Sequence, residues 1–554
     1  MTATAPSNTL SAPSLSLGLP LLAVAGAVLG FVALQLAAFR IAGVFEYPLD
    51  DVYIHLAMAS GMAGGTYGVN AGEAASAASS MLYPVLLMPF SGTEAQRMLP
   101  LVWNLVGLGL SAGLWGAILA QATLPRWLGM GLAALGPVFL NMPGVAFLGM
   151  EHSLHAAASL ATMLGLWLFL QDGRIRLWLV AAMILSPLLR LEGLALSLAA
   201  AGAIALSRRP GAGVALMAAT VAPVLACMAG LMALGLPPLP SSVLTKLTLS
   251  SSADGPLERV LVQLAANLLR PAGQLLAVLL VVAVVIAVVL ALAPAARRCH
   301  GGTGRTTTGS GWGPWTLFVP VLAAMAHLLQ AQVGWLHRYE HYIIVTLIAG
   351  LALAVPQAGR VMRPVIVGIV ALSVLAAGAV WLPRLTTSYL WNPRAVHLQQ
   401  AQMARFAQDF AREPVAVNDL GRVVWSNPDY VLDLWGLASD RARRIRIDDG
   451  APAGWAGVLT AERGVRLAMV YDRWIGPGAG ADWQRLATLT MVSPRGVLGG
   501  YEVAFYATDP AAAPKLREAL RAFAPTLPAD ARITIAPASP DPANPAGVSP
   551  SPTP

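Results

Sequence analysis

Charge is scarce in this chain. Of its 554 residues only 11% are Asp, Glu, Lys or Arg, while 56% are hydrophobic. Soluble domains carry about 25% charged residues, so most of this chain is not built to face water. Cysteine is scarcer still. Cys227 lies inside an apolar run and Cys299 in a basic loop, which excludes a disulfide framework and any cysteine-based metal spacing. No basic cluster interleaved with aromatics is present, so nucleic acid is not an expected partner. The surplus of 35 Lys and Arg over 27 Asp and Glu instead concerns membrane orientation and anionic lipid. The stretch before the first apolar run has no charged side chain. It lacks the positive segment of a cleavable signal and reads as leading into a retained first helix. No internal repeat is visible.

Long apolar runs are what the chain has in abundance. About eleven are readable as crossings: roughly 21–44, 97–120, 127–148, 153–170, 176–189, 194–206, 212–235, 272–294, 314–333, 339–356 and 363–383. The fifth and sixth come from one run interrupted by Arg190, Glu192 and Gly193. A single helix of that length would overshoot a hydrocarbon core of about 30 Å, so a turn is expected there. With this count the loops on one side carry Arg126, Arg174, Arg176, Arg208, Arg209, Arg297, Arg298, Arg305, Arg360 and Arg363. The loops on the other side mix acids, histidines and polar residues. The positive-inside rule then places the N-terminus in the cytoplasm and the C-terminus outside. The expected location is the bacterial inner membrane, with the C-terminal part periplasmic.

The expected domains are a transmembrane domain over 1–384, a periplasmic α/β domain over 385–535 and a Pro-rich, disordered tail over 536–554. The transmembrane part includes a long first outer loop, about 45–96. Within it, Asp51 to Ala63 has the period of an amphipathic helix, and residues near 79–89 read as an interfacial or re-entrant helix. In the α/β domain, Ala395–Arg412 and Ala513–Phe523 are helix-like. Val415–Val417, Val465–Val470, Glu502–Tyr506 and Arg532–Ile535 are strand-like.

With this topology the unusual polar residues converge on the outer side: Asp50, Asp51, His55, Glu151, His152, Arg190, Glu192, Lys246, His337, Arg338 and His341. Ionisable groups at a membrane are costly and mark functional sites. Acids beside Arg, Lys and His suit a phosphorylated amphiphile, the cations holding phosphate and a carboxylate removing a proton. Each residue also has a plainer reading. Asp50 and Asp51 can cap the helix that follows. Lys246 and Arg338 can snorkel at helix ends. Arg190 and Glu192 can form a structural ion pair. Glu151 can cap its own helix with Ser153. His337 and His341, four apart, are the best metal-ligating pair, although no convincing ligand set closes. Trp425, Trp435, Trp455, Trp474 and Trp483 can stack on sugar rings or serve as core.

Several of these segments resemble, in order, motifs of one branch of the type C membrane glycosyltransferases (GT-C fold), the terminal arabinofuranosyltransferases and their relatives. Asp50-Asp51-Val52-Tyr53-Ile54 is similar to the family's Asp-Asp-Ala-Tyr-Ile. Ala78 to Tyr83 resembles its Ser-Ser-Pro-Leu-Trp segment, with Met81 in place of the proline. Gly149-Met150-Glu151 resembles Gly-Leu-Glu, and Arg190 to Gly193 resembles Arg-Pro-Glu-Gly without the proline. Pro238 to Ser242 with Lys246 resembles Pro-Leu-Pro-Asn-Thr and its lysine, with Ser241 for Asn. His337-Arg338-Tyr339 matches the family's Arg-Tyr. Val417 to Gly421 and Leu432 to Leu437 resemble its paired strand motifs.

The resemblance implies an inverting enzyme that takes a sugar from a polyprenyl phosphate at the outer face. It passes the sugar to a hydroxyl of an envelope glycan, lipid or protein. Asp50 would be the base, with Asp51 as the alternative. Lys246, Arg338 and His337 would hold the donor phosphate. Tyr53, His55, Glu151, His152, Arg190, Glu192 and His341 would bind substrate. No cofactor is expected, and a divalent cation stays open. The rival functions are a transporter or flippase of a phosphorylated lipid, and a non-catalytic envelope or motility protein on the same fold.

Overall fold

The structure is a computed structural model that describes residues 17–207, 209–249, 255–292 and 314–537, with backbone only for 246–249. Arg208, Arg297, Arg298, Arg305, the Lys246 side chain and residues 538–554 of the Pro-rich tail therefore lie outside the described residues. The chain divides into two compact units.

The first unit comprises 1–43, 79–239 and 246–390. Among the described residues of the chain, seven helices are long and apolar enough to cross a membrane. They are Gly18–Ala42, Glu94–Gln121, Arg126–Phe147, His152–Asp172, Pro210–Ala233, Pro271–Leu292 and the run that starts at Met362. Shorter apolar helices are Leu177–Leu189, Gly193–Ser207, Trp315–Gln330 and His341–Gln357. Their outward residues are large and apolar: Leu29, Leu36, Val278 and Val281 are exposed, while Ala23, Ala27, Ala38 and Ala283 are buried. Lipid gives helices no hydrophobic reason to associate, so small residues at the contacts let backbones approach closely. This is the make-up of a membrane-integrated helical unit.

Local chemistry sets the helix ends. Thr93 caps Glu94–Gln121 by accepting from the Gln96 N–H. Asn141, at a φ of 54°, breaks the third long span into Arg126–Phe139 and Met142–Phe147. The expected turn is found between Leu177–Leu189 and Gly193–Ser207, where Arg190 is extended. That turn leaves the Leu188 carbonyl without a helical donor, and the Met81 and Leu82 N–H groups bond to it at 3.2 and 3.1 Å. The expected interfacial helix at 79–89 is accordingly reduced to one turn, Tyr83–Leu86.

The second unit comprises Val44–Ala78, Pro240–Thr245 and the chain from Trp391. The sequence pattern puts the whole of 45–96 in the transmembrane domain, whereas Val44–Ala78 belongs to the sheet-bearing unit. The correction has a physical cause: the polar side chains of Val44–Ala78 have their partners in the α/β part. The Asn70 amide both donates to the Val431 carbonyl (2.9 Å) and accepts from its N–H (3.0 Å). It thereby covers a sheet edge. Arg463 reaches Glu73 at 2.9 Å. The helix Asp51–Ala63 is buried from Val52 to Ala59, so it is a core helix rather than an amphipathic one.

One six-stranded sheet organises this unit: β1 (Val415–Val417), β2 (Val431–Asp433), β3 (Leu467–Val470), β4 (Gln484–Met491), β5 (Glu502–Ala507) and β6 (Ala531–Ile535). Its order is β2-β1-β3-β5-β4-β6. β1 is parallel to both β2 and β3, and the other pairings are antiparallel. The chain leaves β1 toward β2, on one side, and leaves β3 toward the antiparallel half, on the other. In an open α/β sheet such a divergence leaves a crevice at the carboxyl ends of the two strands, where ligands bind. β4 was not expected from the sequence, and β2 only through the resemblance of Leu432 to Leu437 to a strand motif. β2 is three residues long and ends in a buried aspartate, and β4 mixes polar and apolar residues around an irregularity between Arg485 and Ala487.

Candidate active site

The β1/β3 crevice holds a carboxylate cluster. Asn418 and Asp419 directly follow β1, and Tyr471 directly follows β3. The Tyr471 N–H donates to Asn418 Oδ1 at 2.7 Å and ties the two strand ends together. Asp419 accepts from Gln400 Nε2 at 2.7 Å, with the Tyr471 hydroxyl at 3.2 Å. The same hydroxyl donates to Gln399.

Asp50 enters the cluster from the start of the helix Asp51–Ala63. It makes no side-chain cap bond to that helix. Instead its two carboxylate oxygens accept the backbone N–H groups of Gly421 (2.6 Å) and Arg422 (2.7 Å), the first residues of the short helix Gly421–Val424. It is a cap, but of a segment some 370 residues away. Only glycine allows this approach, because a Cβ at Gly421 would lie 2.0 Å from the Asp50 carbonyl oxygen. Gly421→Ala is therefore expected to loosen the 44–78 segment from the sheet. Faster amide exchange across Val52 to Ala59 would register it; unchanged protection there would refute the clamp.

The acids raise one another. Burial pushes the Asp50 carboxyl well above its ordinary value, aided by the charges of Asp419 and Asp51 and opposed by its two N–H bonds. Asp419 is pushed up to about 6, first by burial and also by Asp51, with the Gln400 hydrogen bond opposing. Burial and the Asp419 charge push the Tyr471 phenol up as well. Asp50 is 6% exposed and engaged at both oxygens, whereas Asp51 and Asp419 are half-buried. Tyr53 and His55, expected at a substrate surface, are instead interior. Tyr53 packs on Tyr47 and Trp425, donates to Glu46 and lies under the Arg422 guanidinium.

In the helical unit a second polar group gathers. Arg190 binds Glu151 at 3.0 Å and Glu192 at 2.6 Å, and the Ser79 hydroxyl donates to Glu151 at 2.9 Å. Arg190 and Glu192, two apart, meet because 190–193 is a turn. The Tyr339 ring lies beneath two guanidiniums, 5.5 Å from Arg190 and 5.1 Å from Arg338. Arg338 is buried and donates to the Tyr339 hydroxyl at 3.1 Å, and the His152 ring is 6.1 Å from that of Tyr339. Five of the expected site residues, Glu151, His152, Arg190, Glu192 and Arg338, thus share one neighbourhood around Tyr339 and Arg190. Beside them lie His155, stacked 4.3 Å from Tyr342, and His327, whose Nδ1 is 3.3 Å from the Tyr342 hydroxyl.

Arg338 is presented by an unusual turn. Gly334, Trp335, Leu336 and His337 have φ values of 105, 49, 60 and 56°. Left-handed backbone costs non-glycine residues about 1–2 kcal/mol each, and such strain persists only where the surroundings fix it. Glu340 fixes it here: Oε2 accepts from the Gly334 N–H at 2.7 Å, and Oε1 pairs with His337 Nδ1 at 2.9 Å. The Leu336 carbonyl accepts from the Tyr389 hydroxyl. Glu340→Ala removes the staple from a buried site, so a loss of about 1–3 kcal/mol in stability is expected, read by thermal unfolding in detergent. A variant as stable as the parent would show that the turn needs no staple.

His337 lies outside the helix that begins at His341, so the helical i, i+4 spacing proposed for a metal pair does not exist. His341 Nε2 bonds the Leu140 carbonyl at 2.8 Å. Among the described residues no group of three or more His, Cys, Asp or Glu is arranged to hold a metal ion. Lys246 belongs to the helix Ser241–Leu249. Of the tryptophans weighed for sugar contact, Trp455 is core, and Trp435 packs 4.7 Å from Trp474 beneath Arg446.

An apolar groove of about 450 Å³ lies against the helix Met362–Arg384. Phe139, Leu375, Gly378, Leu382 and Pro383 line it. Phe139 adjoins Leu140, the partner of His341, and the same helix carries Trp381, whose ring packs on His341 (5.5 Å) and His337 (6.4 Å).

The sequence reading missed Asp419, Gln400 and Tyr471 as a chemical group, although Asp419 lay in a strand motif it had singled out. The position just past a parallel strand is the signal that would have found it. It also missed His155 and His327. A histidine within an apolar helix is itself a flag, and attention had been confined to the loops.

Residues 391–506 match a family described as Domain of unknown function (DUF8728). No curated protein matches this chain. No solved structure matches it.

Proposed function

We propose that this protein is an inverting glycosyltransferase of the type C membrane class. It uses a polyprenyl-phosphate sugar as donor and a hydroxyl of an envelope glycan or lipid as acceptor. The observation that carries the reading is that one helix, Met362–Arg384, both walls an apolar groove and packs Trp381 on His337, the neighbour of Arg338. A prenyl chain needs a lipid-like groove and its phosphate needs a guanidinium. Arg338 and His337 hold the phosphate, whose charge grows as it leaves. In the second unit the carboxylates take the acceptor's proton. Asp50 is committed to its clamp, so Asp51 and Asp419 are the bases and Asp50 positions them. The acceptor oxygen bonds to the anomeric carbon, the carbon–oxygen bond to phosphate breaks, and the proton passes to a carboxylate. Eleven crossings, formed by the seven long and four short apolar helices, fit this reading. On this reading the sheet-bearing unit lies on the periplasmic side of an inner membrane.

His155 lies in the first turn of its helix and His327 in the last turn of its own. Neither supplies the charged path at mid-membrane depth that a transporter needs. The test is transfer by the purified protein from a polyprenyl-phosphate sugar. Arg338→Ala should raise the donor KM by about tenfold to a hundredfold, the worth of a hydrogen bond to a charged group. Unchanged donor kinetics would remove Arg338 from the site.

A further inference from the structure

The second unit contains a cleft that the reading above does not use. It has a volume of about 530 Å³ and lies over the β4/β5 face, walled by Tyr471 to Arg473, by Arg485 and Thr488, and by Arg495 and Gly500 to Glu502. Its three arginines differ in how they are engaged. Arg485 is neutralised by Asp472, which also accepts from the Tyr506 hydroxyl at 2.7 Å. Arg473 and Arg495 are held by carbonyls only. Arg473 donates to Gly499, and Arg495 to Leu498 at 2.7 Å and Gly499 at 3.3 Å. Neither forms an ion pair among the described residues. Two guanidiniums gripping one carbonyl from both sides are fixed in place with their charge unanswered. Glu502 stands at the exposed rim.

The rest of the wall is aromatic. Tyr501 is 51% exposed, and the Arg495 guanidinium lies 5.8 Å from its ring centre. An exposed ring beside fixed polar groups is a stacking face for a sugar ring, which has an apolar side and a hydroxylated edge. Gly499 lets the loop close on Tyr471, since a Cβ there would come within 2.4 Å of that ring. Tyr471 is shared: its ring walls the cleft while its hydroxyl sits at Asp419.

We propose that this cleft binds a saccharide bearing a carboxylate or phosphate group, and that this saccharide is the acceptor. Arg473 and Arg495 grip the anion, Tyr501 stacks on the sugar, and Tyr471 passes the chain toward Asp419. The binding claim stands on the cleft alone; the acceptor role rests on the glycosyltransferase reading.

The experiment measures binding of tetragalacturonate to the full-length protein in nanodiscs of zwitterionic lipid. Maltotetraose serves as the neutral counterpart, inorganic phosphate as the bare anion, and phosphatidylglycerol vesicles as competitor. Tetragalacturonate should bind at least tenfold more tightly than maltotetraose, and also more tightly than phosphate. Arg473→Gln with Arg495→Gln should weaken it at least tenfold. Tyr501→Ala, at an exposed position that cannot unfold the sheet, should weaken it severalfold. Equal binding of the neutral saccharide, full binding by the Tyr501 variant, or complete displacement by the vesicles overturns the proposal, the last in favour of a lipid headgroup. Binding without transfer to any acidic acceptor would keep the cleft and refute its catalytic role.

Discussion

Asp419→Asn is expected to lower sugar transfer by about 10²–10⁴-fold, the usual worth of a general base, while leaving the protein folded. The expected pH profile is specific. Asp419 is held up to about 6, and a base works only when deprotonated, so the parent's rate should rise with pH through about 6 and fall below it. The Asn variant should lose that limb. The stability effect has the opposite sign. The folded protein holds the Asp419 proton more tightly than the unfolded chain does. Its contribution to stability is therefore complete below the ordinary carboxyl value and is lost as pH rises through about 6. At pH 7.5 the Asn variant should melt no lower than the parent. A variant that is inactive because it has unfolded, or active with the limb intact, would contradict the assignment. Asp51→Asn should shift the limb to lower pH, because it removes a charge that raises Asp419.

Arg190→Ala carries the largest expected stability effect. The guanidinium is 6% exposed and joins Glu151, fully buried, to Glu192. Its removal leaves carboxylates in a low-dielectric interior with no counter-charge, which costs about 3–5 kcal/mol. Loss of the folded protein from detergent extracts, or a fall in melting temperature of many degrees, is the expected reading. Glu192→Gln should be milder, because Glu192 is 24% exposed and Arg190 keeps Glu151. If Arg190→Ala melted like the parent, the network would not support the helical unit. A loss of transfer without a loss of stability would move Arg190 from scaffold to substrate.

Helices were legible because lipid leaves a simple record: long uncharged runs, with a turn wherever Arg190, Glu192 and Gly193 interrupt one. Strands were legible where apolar and β-branched, as at Val415–Val417 and Leu467–Val470, and hidden where polar and apolar residues mix, as at Gln484–Met491. The affiliation of Val44–Ala78 was hidden for a different reason. It depends on hydrogen bonds such as Asp50 to Gly421 and Asn70 to Val431, made across about 360–370 residues of chain. No periodicity records a contact of that span. The two aspartates at the start of the helix Asp51–Ala63 drew attention as acids near a membrane, and both helix capping and catalysis were open to them. In the structure Asp50 caps a distant helix, and Asp51 lies half-buried in the first turn of its own. Asp419 and Tyr471 came together only because β1 and β3 are neighbours, which sequence order alone does not state.

The central claim is that this protein moves a sugar from a polyprenyl phosphate onto the cell envelope. Mass spectrometry of lipid-linked sugars and envelope glycans tests it most directly, comparing the parent strain, a deletion strain, and the deletion strain carrying Asp51→Asn with Asp419→Asn. The account predicts that the deletion and the double variant both accumulate the same lipid-linked sugar and both lack the same glycan residue. Glycans and lipid-linked sugars indistinguishable from the parent's in both strains would contradict it.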